Sequence, residues 1–237
     1  MTVVAPKLVF TRIRSSYVRP RNAFTLTELL AVIGVIGIIL AATISLVGTN
    51  SGAKARKGAK KELLAILTRA RAEAISTGNP VAVAIAGTKD GPDSIRGRRL
   101  SMYEARQNEA TGNWELGIQL RRWLEFQAPA ILLDSTNVHT GANAGINVLD
   151  EQEGLPVEIH DRDSGRRVRV IAPCIIFEPS GAIAYPSGSG RLGFYIGEGT
   201  WHKAKLTILS RDQNGKAVSD LVVLNRFSGR AQGISTQ

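Results

Sequence analysis

RNAFTLTELLAVIGVIGIILAATISLV, residues 21–47, decides the reading of this chain. From Leu29 to Val47 nineteen consecutive residues carry no charge. At ~1.5 Å of rise per residue that run makes a helix roughly 28 Å long, about one hydrocarbon core. It is longer than the apolar region of a secretory signal, and no small-residue cleavage site follows it. It therefore reads as a membrane helix rather than a removed export signal. One carboxylate, Glu28, stands at its edge, where a charge is costly unless it finds a partner. Upstream, residues 1–23 hold Lys7, Arg12, Arg14, Arg19 and Arg21 and no acid, half of the formal net charge of +10. The remaining excess is a weak argument for an anionic partner.

Beyond the run the helical period continues. Leu63, Leu67, Ala70 and Ala74 recur on one face, flanked by Leu64 and Ile75, until Gly78 and Pro80 stop the pattern. The spacing predicts one helix from Phe24 to about Thr77, roughly 80 Å long at ~1.5 Å per residue. Its lower half suits lipid and its upper half suits a sheet, with a local bend or melt between Gly48 and Gly58. Gly37, Ala41, Ser45, Gly48 and Gly52 fall on one face, a stripe of small residues suited to close helix packing. Lys54, Arg56, Lys57, Lys60 and Lys61 read as a solvated basic face.

After Pro80 the period changes to two. Strands are expected at Val81–Ile85, Leu100–Tyr103, Trp114–Leu120, Ile131–Leu133, Val168–Ile171, Cys174–Phe177, Leu192–Ile196, Leu206–Leu209 and Leu221–Leu224. Trp114, Leu116, Ile118 and Leu120 alternate with polar residues and glycine, the pattern of a half-buried strand. Turns fall at Asp90-Gly91-Pro92, Ser180-Gly181, Asn214-Gly215 and Ser228-Gly229. Short strands without intervening helices imply antiparallel sheet. The polar segment 134–166 reads as a loop or excursion.

Signs of catalysis are weak. One cysteine, Cys174, sits in an apolar strand and reads as a small buried hydrophobe. Gly188-Ser189-Gly190-Arg191-Leu192-Gly193 fits a dinucleotide fingerprint, yet a strand follows it where that fingerprint needs a helix. Asp161 and Asp163 lack the acid that would complete a calcium loop, since position 172 is alanine. His139, His160 and His202 are isolated, so neither a metal nor another cofactor is expected.

The stretch AFTLTELLAVIGVIGIILAATI resembles the processing signal of type IV prepilins and pseudopilins. Phe24 matches the residue that becomes the mature N-terminus, and Glu28 the acid at the fifth mature position. Two departures stand out: Ala23 replaces the usual glycine before the cut, and Ser45 replaces a proline common in the helix. The resemblance implies cleavage between Ala23 and Phe24 by a prepilin peptidase and N-methylation of Phe24. It also implies pairing of Glu28 with the Phe24 amine of a neighbouring subunit. The rest of the chain resembles the H-type minor pseudopilins of type II secretion and the related FimT-like minor pilins. The similar pieces are Arg69-Ala70-Arg71-Ala72-Glu73-Ala74-Ile75 through Asn79-Pro80-Val81, Arg122-Trp123-Leu124, Ile175-Ile176-Phe177-Glu178-Pro179-Ser180-Gly181, and Leu221-Val222-Val223-Leu224 to Gly229-Arg230.

The resulting expectation is an α+β chain: a long transmembrane and stalk helix packed on an antiparallel, pilin-like sheet domain. Its parts are a basic leader (1–23), a membrane and filament-core helix (24–48), an amphipathic continuation (49–78) and a β domain (79–237) with an excursion at 134–166. By resemblance it is a non-enzymatic subunit of a type II secretion pseudopilus. It would sit in the inner membrane with its C-terminal domain periplasmic, beside other pseudopilins and an assembly platform. Charge bias alone leaves that orientation a near tie, with five basic residues on each side of the apolar run. The alternative is a minor pilin that takes up DNA through Arg226 and Arg230, although Gln232 stands where such pilins carry a second arginine. A plain signal-anchored protein is the third reading.

Overall fold

The computed structural model describes residues 25–48, 51–87, 91–138, 146–148, 154–161, 164–188 and 190–235, with the side chains of residues 40–48, 147 and 235 outside that set. It divides into two units, Met1–Val47 and Gly48–Gln237. The first holds all but the last residue of helix α1, Leu26–Gly48. Its described side chains, Leu26 to Ile39, are all exposed. Among the described residues no helix is long and apolar enough to cross a membrane. The apolar run continues through residues 40–47, so the expected span falls partly outside the description, as does the whole expected leader.

The second unit opens with α2, Ser51–Thr77. The single helix expected from Phe24 to Thr77 is described as two helices, with residues 49 and 50 outside the description. No melting occurs at Gly52 or Gly58, which are helical. Tertiary burial of Ala55 and Ala59 offsets the cost of a glycine in a helix, about 1 kcal/mol each. Further along, α2 buries Leu63, Ile66, Leu67, Ala70 and Ala74. Gly78 ends it at φ +69, its N–H donating to the Ala74 carbonyl at 3.1 Å. That left-handed cap is open to glycine without strain.

The strands among the described residues are β1 Val81–Ile85, β2 Arg99–Gln107, β3 Trp114–Gln119, β4 Leu124–Glu125, β5 Ala130–Leu133, β6 Ile146–Val148, β7 Gly154–His160, β8 Arg167–Phe177, β9 Ile183–Tyr185, β10 Arg191–His202, β11 Lys205–Ile208, β12 Asp220–Asn225 and β13 Ala231–Ser235. One sheet runs β3-β2-β1-β8-β7, with β4 on β2 and β9 on β8. The other runs β11-β10-β12-β13, with β5 and β6 also on β10. Helix α2 packs across both. Val81, Val83 and Ile85 face it from the first sheet, and Leu192, Phe194 and Ile196 from the second, in one apolar core. On its other face the first sheet curls, so that Ala82, Ala84, Tyr103, Val157, Ile159 and Cys174 share a second core. The alanines of β1 are small because that face is on the inside of the curl.

Several expectations change. The pair of strands expected at 168–171 and 174–177 is one strand, β8. The excursion at 134–166 is not all loop: a 3₁₀ turn at Ser135–Asn137, β6 and β7 lie within it, and β7 pairs antiparallel along β8. Val157 and Ile159 reach the second core while Glu158 and His160 stay outside, an alternation hidden by the segment's polar average. β6 pairs parallel with β10, the exception to the expected antiparallel pattern. β3 exists, yet its apolar face is not buried as expected. Leu116 stands opposite Ala105 and Gln119 opposite Tyr103, so Gly117 and Ile118 together face Glu104. This bulge breaks the alternation: Leu116 turns to the second core, while Ile118 is 70% exposed.

Candidate assembly site

Helix α1 begins with a reciprocal cap. Thr25 N–H and Oγ1 both donate to Glu28 Oε2 at 2.9 Å, and Glu28 N–H donates to Thr25 Oγ1 at 3.3 Å. The Thr25 carbonyl takes the first helical bond, from Leu29 N–H at 3.2 Å. A threonine three residues before a glutamate is the capping-box pattern, so the sequence itself carries the signal for Thr25. The carboxylate of Glu28 is thus held on an exposed first turn where an external cation can reach it. Ala23 and Phe24 lie outside the described residues, as do the side chains of Ala41 and Ser45. A Cβ added to Gly37 would meet nothing within 4 Å, so that position of the small-residue stripe faces open space.

Gly52 has a different role. A Cβ there would collide with the Glu198 carboxylate of β10, so glycine lets α2 approach the second sheet. Of the basic face expected to be solvated, Lys54, Lys57 and Lys61 are exposed, while Arg56 and Lys60 form an anchor instead. Arg56 donates through Nη1 to Glu198 Oε1 at 2.5 Å and through Nε to Asp220 Oδ2 at 2.9 Å. Lys60 Nζ donates to Asp220 Oδ1 at 3.0 Å. These side chains are largely shielded, and Asp220 is 7% exposed at its side chain. Where α2 offers only alanines to the sheet, charge holds it.

At the far end of α2, Arg71 Nε donates to the Ser228 carbonyl at 2.7 Å. Beneath it, Gly181 (φ +83) and Gly229 (φ +60) meet so closely that a Cβ on Gly229 would overlap the Gly181 carbonyl. Arg226 is buried and its Nη1 donates to the Pro186 carbonyl, so it is not presented to a phosphate; Arg230 is exposed. Phe227 between them is 85% exposed.

The other candidates settle into structural places. Cys174 is buried, donates to the Ala172 carbonyl at 3.1 Å, and has its thiol pKa pushed up to about 12 by burial. Gly193 of the dinucleotide-like motif is in β10, where Ile146 lies across the space a Cβ would take. Asp161 is buried and accepts from Ser164 Oγ at 2.7 Å inside the β7–β8 turn. His160 and His202 stand apart on β7 and β10. His139 and Asp163 lie outside the described residues.

Residues 59–226 match the family model of GspH, a type II transport protein. The chain belongs to the GspH family. The match opens inside α2 and closes at the turn after β12, so it spans both sheets and leaves out α1. Two solved structures are similar, both of the type IV minor pilin FimU of Pseudomonas aeruginosa. One has a TM-score of 0.38 at 17% identity over 76% of this chain and 87% of that one. The other has a TM-score of 0.35 at 17% identity over 75% and 91%. A comparison with curated proteins gives no match. As a GspH-family member the chain is a pilin-like minor pseudopilin, with α2 packed on largely antiparallel sheet. Three of the pieces that carried the resemblance, around Arg71, Gly181 and Gly229, meet at the node described above.

Proposed function

We propose that this chain is a processed, membrane-extracted subunit of a type II secretion pseudopilus. The family match over 59–226 carries the reading. Support for the finer steps comes from the N-terminal sequence: a basic stretch ending at Ala23, Phe24 four residues before a capped Glu28, and the uncharged run 29–47. In this proposal a prepilin peptidase cuts after Ala23 and methylates Phe24. The run 29–47 spans the inner membrane with the second unit on the periplasmic side. An inner-membrane platform then moves the helix into a filament with other pseudopilins. The chain performs no catalysis; its work is mechanical. A buried ammonium and a buried carboxylate each cost several kcal/mol unless paired, so Phe24 and Glu28 of adjacent copies set the assembly register.

Mass spectrometry of the mature N-terminus tests the processing: methylated Phe24 is expected, and a chain that still begins at Met1 would refute it. Glu28→Leu is expected to be cut and inserted normally but to co-purify poorly with other pseudopilins. Undiminished co-purification would remove Glu28 from assembly.

A further inference from the structure

The curl of the first sheet brings its two edges, β3 and β7, face to face without pairing them. Between them lies a cleft of about 440 Å³, well apart from α1 in the chain and untouched by the assembly reading. Its floor is apolar and aromatic. Tyr103 and Trp123 meet edge to face, 6.1 Å between centroids at 65°, beside Leu116 and Val157. Its walls are poor templates for an added strand. β3 is broken by the bulge at Gly117 and Ile118, and β7 carries Pro156, which has no N–H to offer. An occupant must be recognised by side chains.

Arg167, Glu158 and His160 line the cleft, and four further arginines close to it in the chain tip the local charge to positive. Arg167 lines the cleft, Arg169 flanks it on the same face of β8, and Arg166 precedes both in the turn. Arg121 and Arg122 lead from β3 into Trp123 and are exposed. Among the described residues Arg121, Arg122, Arg166 and Arg169 make no ion pair. Arg167 meets Glu158 only at 3.7 Å, with both side chains largely in solvent. No lysine occurs between Lys89 and Lys203, whereas α2 carries four in a single stretch. Arginine offers a planar fork that grips a carboxylate with two parallel bonds. Tryptophan, tyrosine and arginine with lysine absent is the composition of the energetic centre of a protein interface.

We propose that this cleft seats an acidic segment of a partner protein. One aromatic or large aliphatic side chain lies against Tyr103 and Trp123, and flanking carboxylates reach Arg121, Arg122 and Arg167. The apolar anchor gives depth and the arginines give direction. Five arginines against the single cleft-lining carboxylate among the described residues, Glu158, explain the preference for acid over base, since a basic segment would find only that one acid to face.

The test uses the full-length chain in detergent micelles and fluorescently labelled peptides that share a central Phe and differ in how many Asp residues flank it. Affinity is expected to rise with each Asp and to fall about tenfold or more when the Phe is replaced by Ala or Trp123 by Ala. Because Trp123 also packs on the second core, the exposed pair provides the second variant. R121E/R122E is expected to lose the acidic peptides, retain an unchanged melting temperature, and gain affinity for the same peptides with Lys in place of Asp. R121K/R122K is expected to keep part of the binding. The proposal is overturned if no peptide binds, if affinity ignores the Asp count, or if the R121E/R122E change leaves it untouched. It is also overturned if an oligothymidylate or polygalacturonate displaces the best peptide at lower concentration, which would make the cleft a site for an anionic polymer.

Discussion

Asp220→Asn tests the claim that charge fastens the start of α2 to the second sheet. Asp220 accepts from Arg56 at 2.9 Å and from Lys60 at 3.0 Å, and its side chain is 7% exposed. Removing one member of a fully buried pair costs about 3–5 kcal/mol, because the surviving charge is left without compensation. Here two things reduce that figure. Arg56 keeps Glu198, and both cations retain some contact with water, with side chains 13% and 15% exposed. A loss of about 2 kcal/mol is expected, or roughly 4–8 °C in melting temperature for a domain of this size. The measurement is thermal unfolding of the full chain followed by circular dichroism, joined to hydrogen exchange of the amides of Ser51 to Lys60. Exchange there should rise more than at Leu63 to Ala74, where apolar burial does the holding. A double-mutant cycle with Lys60→Met should show coupling of about 1 kcal/mol. Strict additivity, or a melting shift under about 1 °C, would refute the anchor.

Gly229→Ala should destabilise by about 3 kcal/mol or more, since the overlap with the Gly181 carbonyl adds to the cost of alanine at φ +60; differential scanning calorimetry reads it. Cys174 should resist alkylation at pH 8 in the native chain and react fully after denaturation, because its pKa of about 12 leaves almost no thiolate. Ile118→Gln should leave stability within about 0.5 kcal/mol, because the bulge in β3 turns Ile118 outward, while Leu67→Ala, at a buried position of α2, should cost about 2–5 kcal/mol. Glu62 carries a carboxylate oxygen that is buried without a partner, and burial raises its pKa. A raised folded-state pKa means its favourable contribution exists below the unfolded value and is lost as pH rises through the folded one. Glu62→Gln is therefore expected to raise the melting temperature at neutral pH and to have no such effect at pH 3.

What could be read from the chain followed periodicity. The stripe Leu63, Leu67, Ala70 and Ala74 is buried as its spacing demands, and Gly78 caps the helix where the pattern stops. β1, β5 and β12 fall on the apolar runs that announced them. Local pattern fails where a partner lies far off. Arg56 finds Glu198 and Asp220 across 142 and 164 residues, so no window on α2 distinguishes an anchoring arginine from a solvated one. Ile118 fails for a related reason: an alternation of two is only as good as the register, and one extra residue reverses it. At the assembly site, the Thr25–Glu28 spacing and the apolar run were visible, while the buried fate of Arg226 depends on Pro186, forty residues upstream.

β10 is the spine of the second sheet: β12 takes one side of its first half, β5 and β6 the other, and β11 folds back on its end. Those neighbours come from residues as early as Ala130 and as late as Asn225. The sheet is therefore completed only when its C-terminal strands have left the ribosome or an export channel. Until Asp220 to Ser235 have emerged, β10 has one naked flank and Arg56 has only Glu198 of its two acids to hold. Nonsense mutations close to the C-terminus should accordingly be as damaging as those much nearer the middle, and proteolytic clearance of the shortened chains is the phenotype to expect.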